Sequence, residues 1–206
     1  MSLLTTWGYI ITDSDTLDSI LTVDWFNALT ADKYASDERV ESNLAAVSMA
    51  IRNYCGWHVY PSHDCRMASY MMDSRVKRIG FDVLVQLPAR FVTTVESVTI
   101  DSVSYNTFVI LSNGILKVFG VKPYKQYTPI EVVYTSGLPD ALMGSITELA
   151  AHRVVHALAS SGGVQSETAG GVSITYSANW INNSRSTALA DDNKEVLAPY
   201  KLQGVF

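Results

Sequence analysis

Runs of basic residues are missing from this sequence. Its 15 Lys and Arg are scattered among 20 Asp and Glu, for a net charge of −5. That balance argues against a nucleic-acid-binding surface, because phosphate contacts need clustered cations. Cysteine is scarce, and two in 206 residues make no disulfide framework. A protein made and used in a reducing cytoplasm is expected. No long apolar run is present either. The opening stretch MSLLTTWGYIITDSD is short-run, broken by polar residues and without a basic leader, so neither a secretory signal nor a membrane span is expected there. Catalytic signatures are also lacking. There is no G-x-S-x-G elbow and no P-loop lysine, and Asp191–Asp192 alone is too small an acidic cluster for a calcium loop. The expectation is a protein that is not an enzyme and holds no cofactor. Charged residues of either sign make up only 17% against 48% apolar, a greasy balance that hints at surface hidden in an assembly.

What is present reads as alternating texture. LTVDWFNAL predicts a short helix with Val23, Phe26 and Leu29 or Trp25 facing inward. A longer helix follows from Ser36, with Asp37 and Glu38 in its first turn, a buried stripe of Val40, Leu44, Val47, Ile51 and Tyr54, and Gly56 as its stop. From Trp57 to about Ser136, the runs DVLVQLP, FVTTVESVTI, TFVILSNGILKVFG and PIEVVYTSG predict antiparallel strands, with Asn113–Gly114 as a hairpin turn. Helix returns after Pro139, with Leu142, Ile146, Leu149, Ala150, Val154, Ala157 and Leu158 as its stripe. A last short helix is expected over about Asp192 to Tyr200. The two long helices would pack on each other. The expected fold is therefore α+β: a small antiparallel helical bundle (about 20–56 and 138–206) with an antiparallel β insertion (about 57–136), a C-terminal hairpin arm (about 161–178) and a short last helix, all in one domain.

Two groups of residues have metal-ligand types. His152 and His156 share a helix face, with Glu148 one turn earlier, but Arg153 stands where a zinc protease carries its general base. Cys55, His58, His63 and Cys65 are the right inventory for structural zinc, yet the spacing fits no common finger. Against each stands a plainer reading: surface or interface histidines for the first, and a comfortable core cysteine at Cys55 for the second.

The arm is ALASSGGVQSETAGGVSITYSANW, where Gly162–Gly163 and Gly170–Gly171 bracket Ser166, Glu167 and Thr168. Val172, Ile174 and Tyr176 alternate on one side and give an apolar face that wants cover. It reads either as an ordinary surface hairpin or as an arm laid against a neighbouring subunit.

Several phrases in this order resemble the head–tail connector (adaptor) proteins of long-tailed double-stranded DNA bacteriophages. They are LTVDWFNAL, RVESNLAAVSMAIRNYCGWHV, LPARFVTTVESVTIDSVSY, VVYTSGLPDAL, VQSETAGGVSITYS and LAPYKL, and together they cover about residues 20 to 202. The resemblance implies a structural ring, expected to be dodecameric, assembled in the host cytoplasm and placed in the virion neck beneath the portal protein. A further neck (stopper) protein would follow it, and DNA would pass through without specific binding or any membrane. It assigns Ser166, Glu167, Gly171, Ser173, Ile174 and Tyr176 to an inter-subunit arm, and Leu197, Tyr200, Lys201 and Leu202 to a portal-facing C-terminal segment. Where the sequence departs from the family, it does so in the extension before Thr22 and in the Cys55–Cys65 cluster. The alternatives are a metal-dependent hydrolase using His152 and His156, and a monomeric, tail-associated module binding a peptide or glycan.

Overall fold

The structure is a computed structural model that describes residues 2–122, 125–159, 166–169, 172–175, 189 and 191–202. The described residues fall into two compact units. One is drawn from Met1–Leu17, Cys55–Pro139 and Tyr200–Phe206, the other from Asp18–Tyr54 and Asp140–Pro199. Among the described residues no helix is long and apolar enough to cross a membrane.

The first unit is built of strand, and it overturns the expected fold class. Among the described residues, ten strands in two antiparallel sheets together with four helices are not a helical bundle carrying a small β insertion. The larger sheet holds six strands in the order β1-β2-β3-β10-β6-β7. These are β1 (Leu3–Leu4), β2 (Ile10–Ile11), β3 (His63–Tyr70), β6 (Val92–Ile100), β7 (Val103–Ser104) and β10 (Pro129–Ser136). The smaller sheet runs β4-β5-β9-β8, from β4 (Val76–Ile79), β5 (Asp82–Gln86), β8 (Phe108–Ile110) and β9 (Ile115–Val118).

The physical reason for the correction is that the strands bury a core of their own. Along β3, Cys65 and Met67 turn inward while Arg66 and Ala68 are exposed. Along β10, Ile130, Val132 and Tyr134 do the same. The pairs Val132↔Met67, Tyr134↔Cys65 and, on the other flank, Val132↔Val98 stack these side chains in rows across the sheet. In the smaller sheet Val83, Val85, Leu116 and Val118 are fully buried. At about 1.5–3 kcal/mol for each such side chain, this interior needs no helix to justify it. Residues before Thr22 are not a mere extension, since β1 and β2 pair with each other and β2 pairs on to β3 through Ile10↔Arg66 and Ile11↔Cys65.

The expected hairpin at Asn113–Gly114 is present: β8 and β9 pair through Phe108↔Val118 and Ile110↔Leu116, and both turn residues have positive φ. Gly114 is required there twice over. Its φ is +71°, and a Cβ would sit 1.8 Å from the Ala89 carbonyl oxygen.

The second unit contains α1 (Val23–Leu29), α2 (Arg39–Cys55, whose last residue belongs to the strand unit), α3 (Gly144–Ala159) and α4 (Asp191–Leu197). Thr22 caps α1 through its hydroxyl, which accepts from Trp25 N. This helix buries only Phe26, whose ring lies 6.1 Å from that of Tyr34, so the expected inward Val23, Trp25 and Leu29 are exposed instead. The helix has only seven residues, and a single buried ring is enough to dock it. α2 starts later than Ser36. Asp37 accepts from Arg39 N and from its guanidinium, which holds that carboxyl down at about 2. Its stripe of Val40, Leu44, Val47 and Ile51 is buried as expected, and Gly56 closes it at φ +79°. The half-buried Tyr54 hydroxyl instead reaches across to donate to the Lys194 carbonyl of α4. α3 begins at Gly144, after a 3-10 turn over Asp140–Leu142. Met143 therefore takes the buried place expected of Leu142, which is exposed. Ile146, Leu149, Ala150, Val154 and Leu158 are buried as the stripe predicts.

Gly114→Ala is expected to cost more than about 3 kcal/mol in urea unfolding, because it adds a backbone collision to an unfavourable φ. Gly120→Ala has the same φ problem (+66°) and open space around it, so only about 1–2 kcal/mol is expected. Equal losses at the two sites would contradict the close approach of Gly114 to Ala89.

Candidate functional site

The Cys–His cluster sits in a set of hydrogen bonds within the strand unit. His58 is completely buried. It precedes a tight turn at Val59, where φ is +64° and Tyr60 N donates to the His58 carbonyl at 2.8 Å. Its Nε2 faces the Ser136 carbonyl at 2.8 Å and its Nδ1 faces the Tyr9 hydroxyl at 2.7 Å, while its backbone N–H donates to the same hydroxyl. A carbonyl can only accept, so Nε2 carries a proton. With Nδ1 held against the Tyr9 hydroxyl, both ring nitrogens are engaged within the protein. His63 points Nδ1 at Asp13 Oδ1 at 3.0 Å, and the other oxygen of Asp13 takes Asp64 N. Cys65 Sγ lies 3.5 Å from Ser136 Oγ. Cys55 is buried, and its carbonyl accepts from Leu202 N at 2.8 Å. Among the described residues no three His, Cys, Asp or Glu stand where they could hold a metal ion. Burial pushes both thiols up to about 12. The cluster is chemically quiet, an internal clasp that ties the N-terminal strands to the joint between Trp57 and β3.

His152 and His156 do share a face of α3, with ring centroids 4.5 Å apart. Burial first, then the neighbouring His152 and Arg153, lowers the His156 pKa. Glu148 and His152 line an open groove of about 370 Å³ with Ser145, Leu149 and, from α4, Asn193 and Val196. Among the described residues the groove collects one carboxylate and one imidazole.

The arm strands β11 (Ser166–Ala169) and β12 (Val172–Thr175) pair antiparallel, Ser166↔Thr175 to Ala169↔Val172, in a two-stranded sheet separate from the other two. Ser166, Glu167, Ser173 and Ile174 thus lie on this hairpin, whereas Gly171 and Tyr176 lie outside the described residues.

The C-terminal segment is largely spoken for within its own chain. Leu197 is fully buried. The Tyr200 carbonyl accepts from Trp57 Nε1 at 2.9 Å, and the Lys201 carbonyl accepts from Arg90 Nη1 at 3.0 Å. Of the four residues assigned to a portal contact, only Lys201 has an exposed side chain.

Sequence reasoning passed over an exposed apolar surface of the strand unit, the β4–β5 hairpin. Ile79 and Phe81 at its tip are 54% and 71% exposed. The signal was there in VKRIGFDVLV, where Gly80 between two alternating runs marks a two-residue turn. The chain matches no known protein-family model, and no curated protein shows significant sequence similarity to it.

Replacing His58 by Ala removes a buried ring and its bonds to the Tyr9 hydroxyl and the Ser136 carbonyl, so a loss of about 2–4 kcal/mol is expected in denaturant unfolding. A chelator should leave the wild-type midpoint unchanged; a chelator-induced drop would revive a metal. Both thiols should resist a thiol reagent at pH 8 in the folded chain and react once it is unfolded. The unfolded chain loses thiol protons above about 9 that the folded chain keeps up to about 12. Stability is therefore expected to fall as pH rises through that window, and a thermal-melt series over alkaline pH reads it.

Proposed function

We propose that this chain is a structural head–tail connector (adaptor) of a tailed bacteriophage, a subunit of a ring that sits under the portal and lets DNA pass from capsid to tail. The observation that carries the reading is the arm. A two-stranded hairpin is marginal in water by itself. β11–β12 nevertheless forms its own sheet and adds to neither of the others. An arm of that kind gains most by lying on a second copy, which is the role the resemblance gives to this stretch. The sparse charge and the apolar side chains left exposed, Trp25, Leu29, Ile79 and Phe81 among them, suit a chain whose surface is completed by its neighbours. A net charge of −5 suits a conduit that should not hold DNA. In this reading Lys201 and the turn around it form the portal-facing end, and Leu197 serves internal packing.

A second reading, a monomeric tail-associated binding module, draws support from the large strand unit with its exposed hairpin tip. Oligomeric state separates the two.

Deleting Ser161 to Ser177 is expected to leave the unfolding midpoint within about 1 kcal/mol of wild type while weakening self-association and portal binding, read by light scattering across a concentration series. Unfolding on deletion would make the arm part of the core. A wild-type chain that stays monomeric when mixed with portal particles would favour the binding module.

A further inference from the structure

Of the four histidines, His58 and His63 are enclosed in the clasp of the strand unit, and His152 and His156 stand on α3. His58 has both ring nitrogens engaged, and His63 holds Nδ1 against Asp13. The pair on α3 is placed differently. His152 is exposed and His156 half-buried. Residues i and i+4 lie about 40° apart around a helix, so both rings leave from one face.

Their centroids are 4.5 Å apart, with the planes inclined by 58°. A metal about 2.1 Å from an imidazole nitrogen lies about 3.2 Å from the centre of that ring, so two rings at right angles on one ion have centres about 4.5 Å apart. At the tetrahedral angle they would be about 5.2 Å apart. The observed spacing matches the right angle, which belongs to tetragonal Cu²⁺ and Ni²⁺ rather than to tetrahedral Zn²⁺.

The surroundings weigh both ways. Glu148 lines the same groove as His152 and brings a negative charge to it. Burial first, then His152 and Arg153, lowers the His156 pKa, so that ring is neutral at about pH 7.5 and has a lone pair to give. The Arg153 charge felt there also opposes a cation. Among the described residues no group of three His, Cys, Asp or Glu could hold an ion. The chain therefore supplies two donors, and water fills the other positions.

We infer that His152 and His156 form a two-imidazole chelate on α3 for a divalent transition metal, Cu²⁺ or Ni²⁺ in preference to Zn²⁺, and not Mg²⁺ or Ca²⁺. The ion is taken up from solution and is no part of the core, which α3 makes with Ile146, Leu149, Ala150, Val154 and Leu158. The site stands apart from the ring reading and does not depend on it.

The test uses the untagged, metal-free full chain at neutral pH, titrated with NiCl₂ and read by isothermal titration calorimetry. Saturable Ni²⁺ binding is expected, with Mg²⁺ giving no heat beyond dilution. His152→Ala and His156→Ala each leave a single imidazole. Each is expected to weaken Ni²⁺ binding about tenfold or more, because the second bond no longer forms within one molecule. His152 is exposed, so His152→Ala should keep the wild-type circular dichroism. Electron paramagnetic resonance with Cu²⁺ gives an independent reading: hyperfine splitting from two equatorial nitrogens in wild type, and from one in His152→Ala. Rings that merely pack on each other would bind Ni²⁺ no better in wild type than in either variant, and that result overturns the chelate. So does Ni²⁺ binding that survives both substitutions together.

Discussion

Strand β10 is the constraint on which the rest of the strand unit hangs. Its eight residues pair with β3 on one side and β6 on the other, and it closes the long connection over residues 71–128 back onto β3. Closing so long a loop costs entropy that only extensive pairing and burial offset. Rows such as Met67–Val132–Val98 provide that burial. The end of the same strand serves the clasp as well. The Ser136 carbonyl fixes the His58 ring, the Ser136 hydroxyl lies against Cys65, and Gly137 passes so near Ser62 that a Cβ would come within 2.4 Å of the Ser62 Cα. From there the chain leaves for Pro139 and the helical unit.

This explains why a group with the composition of a metal site is inert. Tyr9, Asp13, His58, His63 and Cys65 come from three separate stretches, and each has a bonding task. Both ring nitrogens of His58 are engaged, by Tyr9 and by Ser136, and the cysteine sulfurs are held as protonated thiols by burial. The potential for chemistry has been traded for the fastening of β1 and β2. What remains outward is surface: the arm, the hairpin tip with Phe81, and the acidic border of α1.

Long periodic segments were legible in the sequence and short ones were not. The stripes of α2 and α3, the turn at Asn113–Gly114 and the strands rich in valine are local patterns, and each falls close to its expected place. β1 and β2 are two residues each and exist only through pairing with one another and with β3, a long-range event that no local window contains. β3 itself, HDCRMASY, has few β-branched or aromatic residues and is a strand because β10 lies beside it. Missing those three made the strand unit look like an insertion, and hence the fold look like a helical bundle. At the candidate sites, spacing brought His152 and His156 together correctly, because i and i+4 share a helix face. It could not show that the partners of His58 and His63 are Tyr9 and Asp13, some fifty residues away.

The proposed ring subunit would cover its exposed apolar side chains, Trp25, Leu29, Ile79 and Phe81 among them, against further copies. Imaging the full chain mixed with portal particles by electron microscopy addresses that directly. The account predicts portals capped by a closed ring with the chain repeated around its axis. Bare portals beside single, dispersed chains would contradict it.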